Sequence, residues 1–209
     1  NITEPILQQL AKFIIENNIV FPGVVGPSMS AELFSRIYCD LSGKNFKLGF
    51  GQKIYQNEKV VQPERIAGSM QTADESLTEL IAKWVSEFTS EALPNEQNTH
   101  EQSLKLAVSK IKNAEVFVWI DENKTPVSMN FVGRPTQNGI GVSAVYTPMS
   151  FRKKGYASAL VAATSQKMLD QGKKFCVLYT DLSNPTSNKI YQNIGYTEVA
   201  GSKQYLIMS

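Results

Sequence analysis

The sequence predicts an α/β or α+β sandwich, in which helices cover a sheet. Two observations lead to that expectation. Segments whose apolar residues recur at helical spacing alternate with short runs that are either alternating or continuously apolar. Clusters of turn residues, among them Asp121-Glu122-Asn123 and Gln137-Asn138-Gly139, separate the strand-like runs. A length of 209 residues, 42% of them hydrophobic, is ample for a buried core without disulfide or metal staples. It suits one large domain, or one domain with part of a second. A junction at Gln62-Pro63-Glu64 divides the chain into 1–63 and 64–209.

In the first part, Ile6, Leu7, Leu10, Phe13 and Ile14 share one helical face. Pro5 is tolerated in the first turn, where the amide it lacks would have no partner anyway. Val20 to Val25 reads as a short strand interrupted by Pro22 and Gly23. Leu33, Phe34, Ile37 and Leu41 form a second apolar stripe, which Gly43 ends. Phe46, Leu48 and Phe50 alternate as a strand, with Ile54 and Tyr55 on its continuation.

The second part opens with a strand from Ile66 to Met70. Leu77, Leu80, Ile81, Trp84, Val85 and Phe88 mark a strongly periodic helix, begun by a Thr72/Asp74 cap and acidic Glu75. Leu104, Ala107, Val108 and Ile111 mark another. Strands are expected at 115–120, 126–133 and 139–147, then a helix over 153–171 with Ala157, Leu160, Val161, Thr164 and Met168 inward. Phe175 to Thr180 is near-continuously apolar, as in a strand buried on both faces. Asn184-Pro185 opens a short helix that Gly195 stops, and two strands, 196–200 and 203–208, close the chain.

Composition excludes several chemistries. A net charge of +2 is too slight to indicate nucleic acid as a partner. The single histidine, His100, and the two distant cysteines, Cys39 and Cys176, offer none of the paired spacings of a zinc site. A Ser-His-Asp triad would have only His100, which lies in a polar stretch and reads as a solvated side chain. Gly26-Pro27-Ser28-Met29-Ser30 and Gly141-Val142-Ser143-Ala144-Val145 both miss the last glycine of a nucleophile elbow. Gly49-Phe50-Gly51 lacks the third glycine of a dinucleotide fingerprint. No run approaches the ~18 apolar residues of a membrane span, and Asn1-Ile2-Thr3-Glu4-Pro5 is no signal peptide. Unpaired cysteines suit a reducing compartment, so a cytoplasmic protein that engages no membrane is expected.

The segment richest in chemistry runs from Val145 to Ser158. It follows a strand and opens a helix, whose unpaired N–H groups and partial positive charge favour phosphate. Gly155 and Ala157 lack bulk, and Arg152, Lys153 and Lys154 place cations together. A basic, solvated helix start would look the same over so short a stretch. A second constellation follows the next strand: Asn184, Ser187, Asn188 and Tyr191, ahead of Gly195-Tyr196. Together, R-x-x-G-x-A at Arg152, Gly155 and Ala157 and N-x₂-S-x₃-Y at Asn184, Ser187 and Tyr191 resemble the acyl-CoA site of the GNAT N-acetyltransferase superfamily. The order of elements from 64 to 209 agrees with that family.

The resemblance implies an α+β fold with a mixed, mostly antiparallel central sheet, helices on both faces, and strands splayed at the cofactor site. It implies acetyl-CoA as co-substrate and an amine as acceptor, with no metal. The backbone N–H groups of Lys153, Lys154, Gly155, Tyr156, Ala157 and Ser158 would hold the pyrophosphate, with Arg152 beside them. Val145, Tyr146 and Thr147 would pair with the pantetheine arm as with an added strand, and Pro148, lacking an N–H, would end the pairing. Asn184, Ser187 and Asn188 would serve as helix cap and cofactor contacts. Tyr191 would be the acid that protonates the departing thiolate, since a phenol of ordinary pKa ~10 keeps its proton at neutral pH. Packing on the sheet with its hydroxyl bonded to CoA is the plainer alternative. The strand Gly139–Tyr146 has no carboxylate, so no base is assigned; Asp181, Glu115 and a water route past Ser143 stay open. Cys176, inside an apolar strand, is read as core, because burial makes a thiol inert. Asp74, Glu75 and Glu79 would draw a cationic amine, or merely complement a helix dipole.

Residues 21–27 and then Gln52-Lys53-Ile54-Tyr55 resemble a degenerate acetyltransferase-like half that precedes the catalytic domain in some bacterial GNAT proteins. Gly26-Pro27-Ser28 occupies the strand-to-helix position without a basic cluster, so no CoA binding is expected there. Were strands of that half absent, an exposed sheet edge would invite homo-oligomerisation. The expected function is acetyl-CoA-dependent N-acetylation by direct attack in a ternary complex. The rival is a non-catalytic acyl-CoA-binding or interaction module that kept the fold, and a generic phosphate-binding module is a third reading.

Overall fold

The computed structural model describes residues 2–92, 98–181 and 185–208; the side chains of 185–187 fall outside that description. The first elements are α1 (Glu4–Glu16), β1 (Gly23–Pro27), α2 (Ser28–Ser42) and β2 (Asn45–Asn57). Next come β3 (Ser69–Thr72), α3 (Thr78–Ala92), α4 (His100–Lys112), β4 (Val116–Ile120), β5 (Pro126–Gly133) and β6 (Gly139–Tyr146). The chain ends with α5 (Tyr156–Asp170), β7 (Phe175–Asp181), α6 (Pro185–Asn193) and β8 (Thr197–Met208). The strand order is β1-β8-β2-β7-β6-β5-β4-β3, a mixed and mostly antiparallel α+β arrangement as expected. No helix among the described residues is long and apolar enough to cross a membrane.

The chain divides into two compact units, Asn1–Tyr55 with Tyr179–Ser187 and Glu198–Ser209, and Gln56–Leu178 with Asn188–Thr197. The strands β2, β7 and β8 each run through the division. In the first unit α1 and α2 bury Leu7, Ala11, Phe34, Tyr38 and Cys39, with Phe21 edge-on to Tyr38 at 4.9 Å. There β1 pairs antiparallel with β8 from Gly23↔Leu206 to Pro27↔Ser202. Lys203 and Tyr205 of β8 both donate to Glu32 Oε2 of α2, at 3.3 and 3.0 Å.

In the second unit β3, β4, β5 and β6 are successive antiparallel neighbours, and β7 joins β6 in parallel. Alternation along the strands decides what each face meets. Val116, Val118, Met129, Phe131 and Tyr146 pack with Ile81, Trp84, Val85, Ala107 and Ile111 of α3 and α4. The intervening residues face α5: Asn130, fully buried, bonds Thr164 through both its amide and its carbonyl, at 3.1 and 3.2 Å. Lys167 of the same helix lies 4.9 Å over the Phe117 ring. Helices therefore cover both faces of this part of the sheet.

Three local expectations are corrected. The strand expected at Ile66–Met70 is β3, three residues later, because the Ala67 carbonyl accepts from the Trp119 indole at 3.1 Å instead of joining a ladder. The helix expected from Leu77 begins as a 3-10 turn at Glu75–Leu77, which Asp74 caps by accepting from Ser76 N at 2.9 Å, and α3 follows. The two closing strands are one strand, β8. Gly201 lies inside it: a Cβ there would meet Ser28 Oγ at 2.8 Å, so glycine permits close approach within a continuous strand.

Two expectations follow from this core. Leu160 on α5 is fully buried, so Leu160→Ala should cost about 2–5 kcal/mol, read as a lower urea midpoint at unchanged slope. Burial pushes the Cys176 thiol from its ordinary range up to about 11, and the Tyr191 phenol up to about 12. Both folded values lie above the unfolded ones, so this contribution is complete below pH ~9 and is lost as pH rises through ~9 to 12. The melting temperature should fall with pH above ~9, and Cys176→Ala should flatten the first part of that decline.

Candidate functional site

The site is built where β6 leaves the sheet. Among the described residues, its parallel ladder with β7 consists of Gly139↔Phe175, Ile140↔Cys176 and Gly141↔Val177 and goes no further. On the other side, Met129 pairs with Tyr146 but Phe131 pairs with Ser143, so β6 holds one extra residue there. Ala144 takes that strain, at φ +49°. A left-handed residue at such a bulge is ordinarily glycine. The bulge bends β6 just past the point where its β7 ladder has ended.

Beyond the bulge, the strand end is held from both faces. Ser128, fully buried on β5, donates to the Tyr146 carbonyl at 3.0 Å, which leaves the Thr147 hydroxyl to donate to Ser128 Oγ at 2.9 Å. Arg152 Nε donates to the Thr147 carbonyl at 2.8 Å. The Tyr146 and Thr147 carbonyls thus each accept a side-chain hydrogen bond. The Tyr146 hydroxyl reaches α3, donating to Glu87 at 2.9 Å with Glu91 at 3.5 Å. Burial first, then that bond to Glu87, hold the Tyr146 phenol well above its usual range. Glu87, Glu91 and Lys83 share one face of α3, and with Tyr146, Pro148, Met149 and Ser150 they line an open cleft of about 690 Å³.

After Thr147 the chain makes a 3-10 turn at Met149–Phe151 and enters α5 through two left-handed residues, Lys153 at φ +63° and Gly155 at φ +81°. Gly155 is the N-cap of α5 and no side chain caps the helix. Its left-handed torsion favours glycine, and a Cβ there would meet Ile66 Cδ1 at 2.8 Å and displace the end of that side chain. The first-turn amides of Tyr156, Ala157 and Ser158 therefore carry the unscreened positive end of the helix. Lys153 and Lys154 are exposed beside them. Arg152 is not a third such cation: its Nη2 pairs with Glu91 at 2.6 Å and its guanidinium lies 5.7 Å from the centre of the Tyr146 ring.

The second sequence constellation is only partly described. Asn184 lies outside the described residues, Ser187 is on α6 with its side chain outside them, and Asn188 is on α6 and half-buried. Tyr191 is buried on α6, its ring 6.1 Å from that of Tyr196. The Tyr196 hydroxyl is hydrogen-bonded to Ser165 Oγ of α5 at 2.8 Å, and the buried Cys176 thiol donates to the Ser165 carbonyl at 3.7 Å. The α6 tyrosine is thereby tied through Tyr196 to α5, whose N-terminus Gly155 leads. Gly195, at φ +96°, ends α6 as expected.

Of the carboxylates weighed from sequence, Glu115 is paired with Lys110 on the far side of β5 from β6, and Asp181 ends β7. Asp74 caps its own turn, which lowers its pKa. Glu79 lies 3.7 Å from an exposed His100. The acids that reach the cleft, Glu87 and Glu91, were not among the sequence candidates. Their i, i+4 spacing with Lys83 announces a shared face, but nothing local says that Tyr146 lies opposite it. Among the described residues no three His, Cys, Asp or Glu side chains gather as a metal site.

Residues 133–206 match a family model described as FR47-like protein. No curated protein matches the chain. Among solved structures, a GNAT-family acetyltransferase from Colwellia psychrerythraea has a TM-score of 0.66 at 15% identity, over 96% of this chain and 71% of its own. A GCN5-related N-acetyltransferase from Sphaerobacter thermophilus has 0.66 at 16%, over 96% and 66%. An N-acetyltransferase from Staphylococcus aureus Mu50 has 0.52 at 21%, over 68% of this chain and 98% of its own. This chain spans about two thirds to three quarters of the first two. The early end of the β6/β7 ladder, the bulge and the glycine-led α5 thus sit in a chain that has the GNAT fold and whose residues 133–206 match the FR47-like model.

Proposed function

We propose that this protein is an acetyl-CoA-dependent N-acetyltransferase that moves the acetyl group to an amine by direct attack in a ternary complex. One observation carries the reading: a strand edge left without a ladder partner beyond Gly141 runs through a bulge into an uncapped, glycine-led helix N-terminus. An extended pantetheine arm needs an open edge of that kind, and a pyrophosphate needs that kind of helix start.

When bound, acetyl-CoA supplies an activated acyl thioester. The chain's own groups then divide the work. Val145, Tyr146 and Thr147 meet the arm, and the amides from Lys153 to Ser158 meet the phosphates with Lys153 and Lys154 beside them. Ser128 keeps the strand end in register from below. Tyr191 remains protonated, because burial pushes its phenol up to about 12. Full transfer of that proton to a thiolate of ordinary pKa ~8.5 would be uphill. Tyr191 is therefore better suited to stabilise the leaving sulfur by donating a hydrogen bond, with solvent completing the protonation. Cys176, fully buried and with its pKa raised to about 11, is unsuited to carry an acyl group.

The absence of a carboxylate on β6 favours the second reading, a binder without turnover. A panel of amines separates the two, with CoA release as the readout: the enzyme turns over at least one, and the binder none. Acetyl-CoA at ~100 times its dissociation constant should stabilise the fold by about 2.7 kcal/mol in thermal denaturation. Gly155→Ala should remove most of that stabilisation, and the absence of any effect in the unaltered protein would sink both readings. Tyr191→Phe should lower turnover by ~10-fold or more while leaving acetyl-CoA affinity unchanged.

A further inference from the structure

Arg152 is the first residue of the phosphate-turn motif, yet its guanidinium is occupied at every nitrogen. Nε donates to the Thr147 carbonyl at 2.8 Å, Nη2 to Glu91 Oε2 at 2.6 Å, and Nη1 to Met149 Sδ at 3.7 Å. Its Cζ lies over the Tyr146 ring, 5.7 Å from the ring centre, and its backbone N–H closes the turn on the Met149 carbonyl at 3.3 Å. The paired carboxylate cancels most of the field that Arg152 would offer an anion. Tyr146 is bonded in turn to Glu87 and Glu91. One side chain therefore joins the strand that would meet the arm, the turn that would meet the phosphates, and a helix from another part of the chain.

We propose that Arg152 is a positioning residue, which fixes β6 and the phosphate turn against α3 through the Thr147 carbonyl and Glu91 and does not itself bind phosphate. This rests on the acetyl-CoA reading above. Arginine suits it: a planar fork serves the Thr147 carbonyl and Glu91 from fixed positions while its charge lies over a ring, and a lysine ammonium has no such fork. The Arg152 and Glu91 side chains are 34% and 47% exposed, and pairs so exposed add little to fold stability. Removing the link should leave the fold intact and loosen the spacing between the two halves of the cofactor site. Affinity would then fall without a matching loss of stability.

The test is a double-mutant cycle read by calorimetric titration with CoA, with melting temperatures alongside. Glu91→Ala and Arg152→Met should each weaken CoA binding by roughly fivefold, and the double variant should be no weaker than either single one by more than about twofold. Arg152→Lys should weaken it as Arg152→Met does, although it keeps the charge. If Glu91→Ala leaves binding unchanged or tightens it while Arg152→Met weakens it, Arg152 is a direct phosphate ligand and the proposal is overturned. Additive losses in the double variant, or full affinity in Arg152→Lys, overturn it too. If the unaltered protein binds no CoA, the acetyl-CoA reading fails and this proposal falls with it; if it binds CoA but Glu91→Ala has no effect, only the proposal fails.

Discussion

The parallel ladder between β6 and β7 stops after Gly141↔Val177, and the site depends on that stop. Within a sheet, a strand that loses its neighbour leaves amides and carbonyls whose desolvation without a partner costs ~1–3 kcal/mol each. Such an edge persists where water or a ligand can pair with it. The bulge at Ala144 compounds the effect, since the extra residue bends β6 and breaks its register with β5. Strand, bulge, turn and helix start are consecutive in the chain, so one departure from regular pairing sets the direction of everything up to α5.

A strand end released in this way has to be held by side chains, and it is held from both faces. On the α5 face Ser128 engages Tyr146 and Thr147 from a fully buried position. On the α3 face the Tyr146 hydroxyl and the Arg152 guanidinium reach Glu87 and Glu91. These polar groups lie beside the apolar cluster of Ile81, Trp84, Met129 and Phe131, where an unmatched hydroxyl would be costly. Mutual satisfaction lets them define one geometry. Tyr191 and Tyr196 are treated differently: burial raises both phenols, which suits groups that hold protons and donate hydrogen bonds.

Much of the fold was legible because its signals are local. The stripes Leu33, Phe34, Ile37 and Leu77, Ile81, Trp84, Val85 follow helical period, and Phe175–Thr180 is apolar throughout. The glycine-led start of α5 was legible for the same reason: Gly155 and the cations around it are neighbours in sequence. Misreadings arose where a residue's role depends on something distant. The two closing strands, 196–200 and 203–208, are one strand, whose ladder with β1 pairs residues on both sides of Lys203. Arg152 reads as one of three free cations but is paired with Glu91, far away in sequence.

Sequence alone determined the element types, the position of the glycine-led helix start and the pairing of two motifs that resembles a known family. All of these follow from torsional preference and periodicity within a few residues. Tertiary structure decided where the β6/β7 ladder ends, that Ala144 and not a glycine forms the bulge, and that Glu87 and Glu91 rather than Asp74 or Glu79 face the strand end. Those depend on which strand or helix lies opposite, and partners brought together by folding leave no mark in the spacing of either segment.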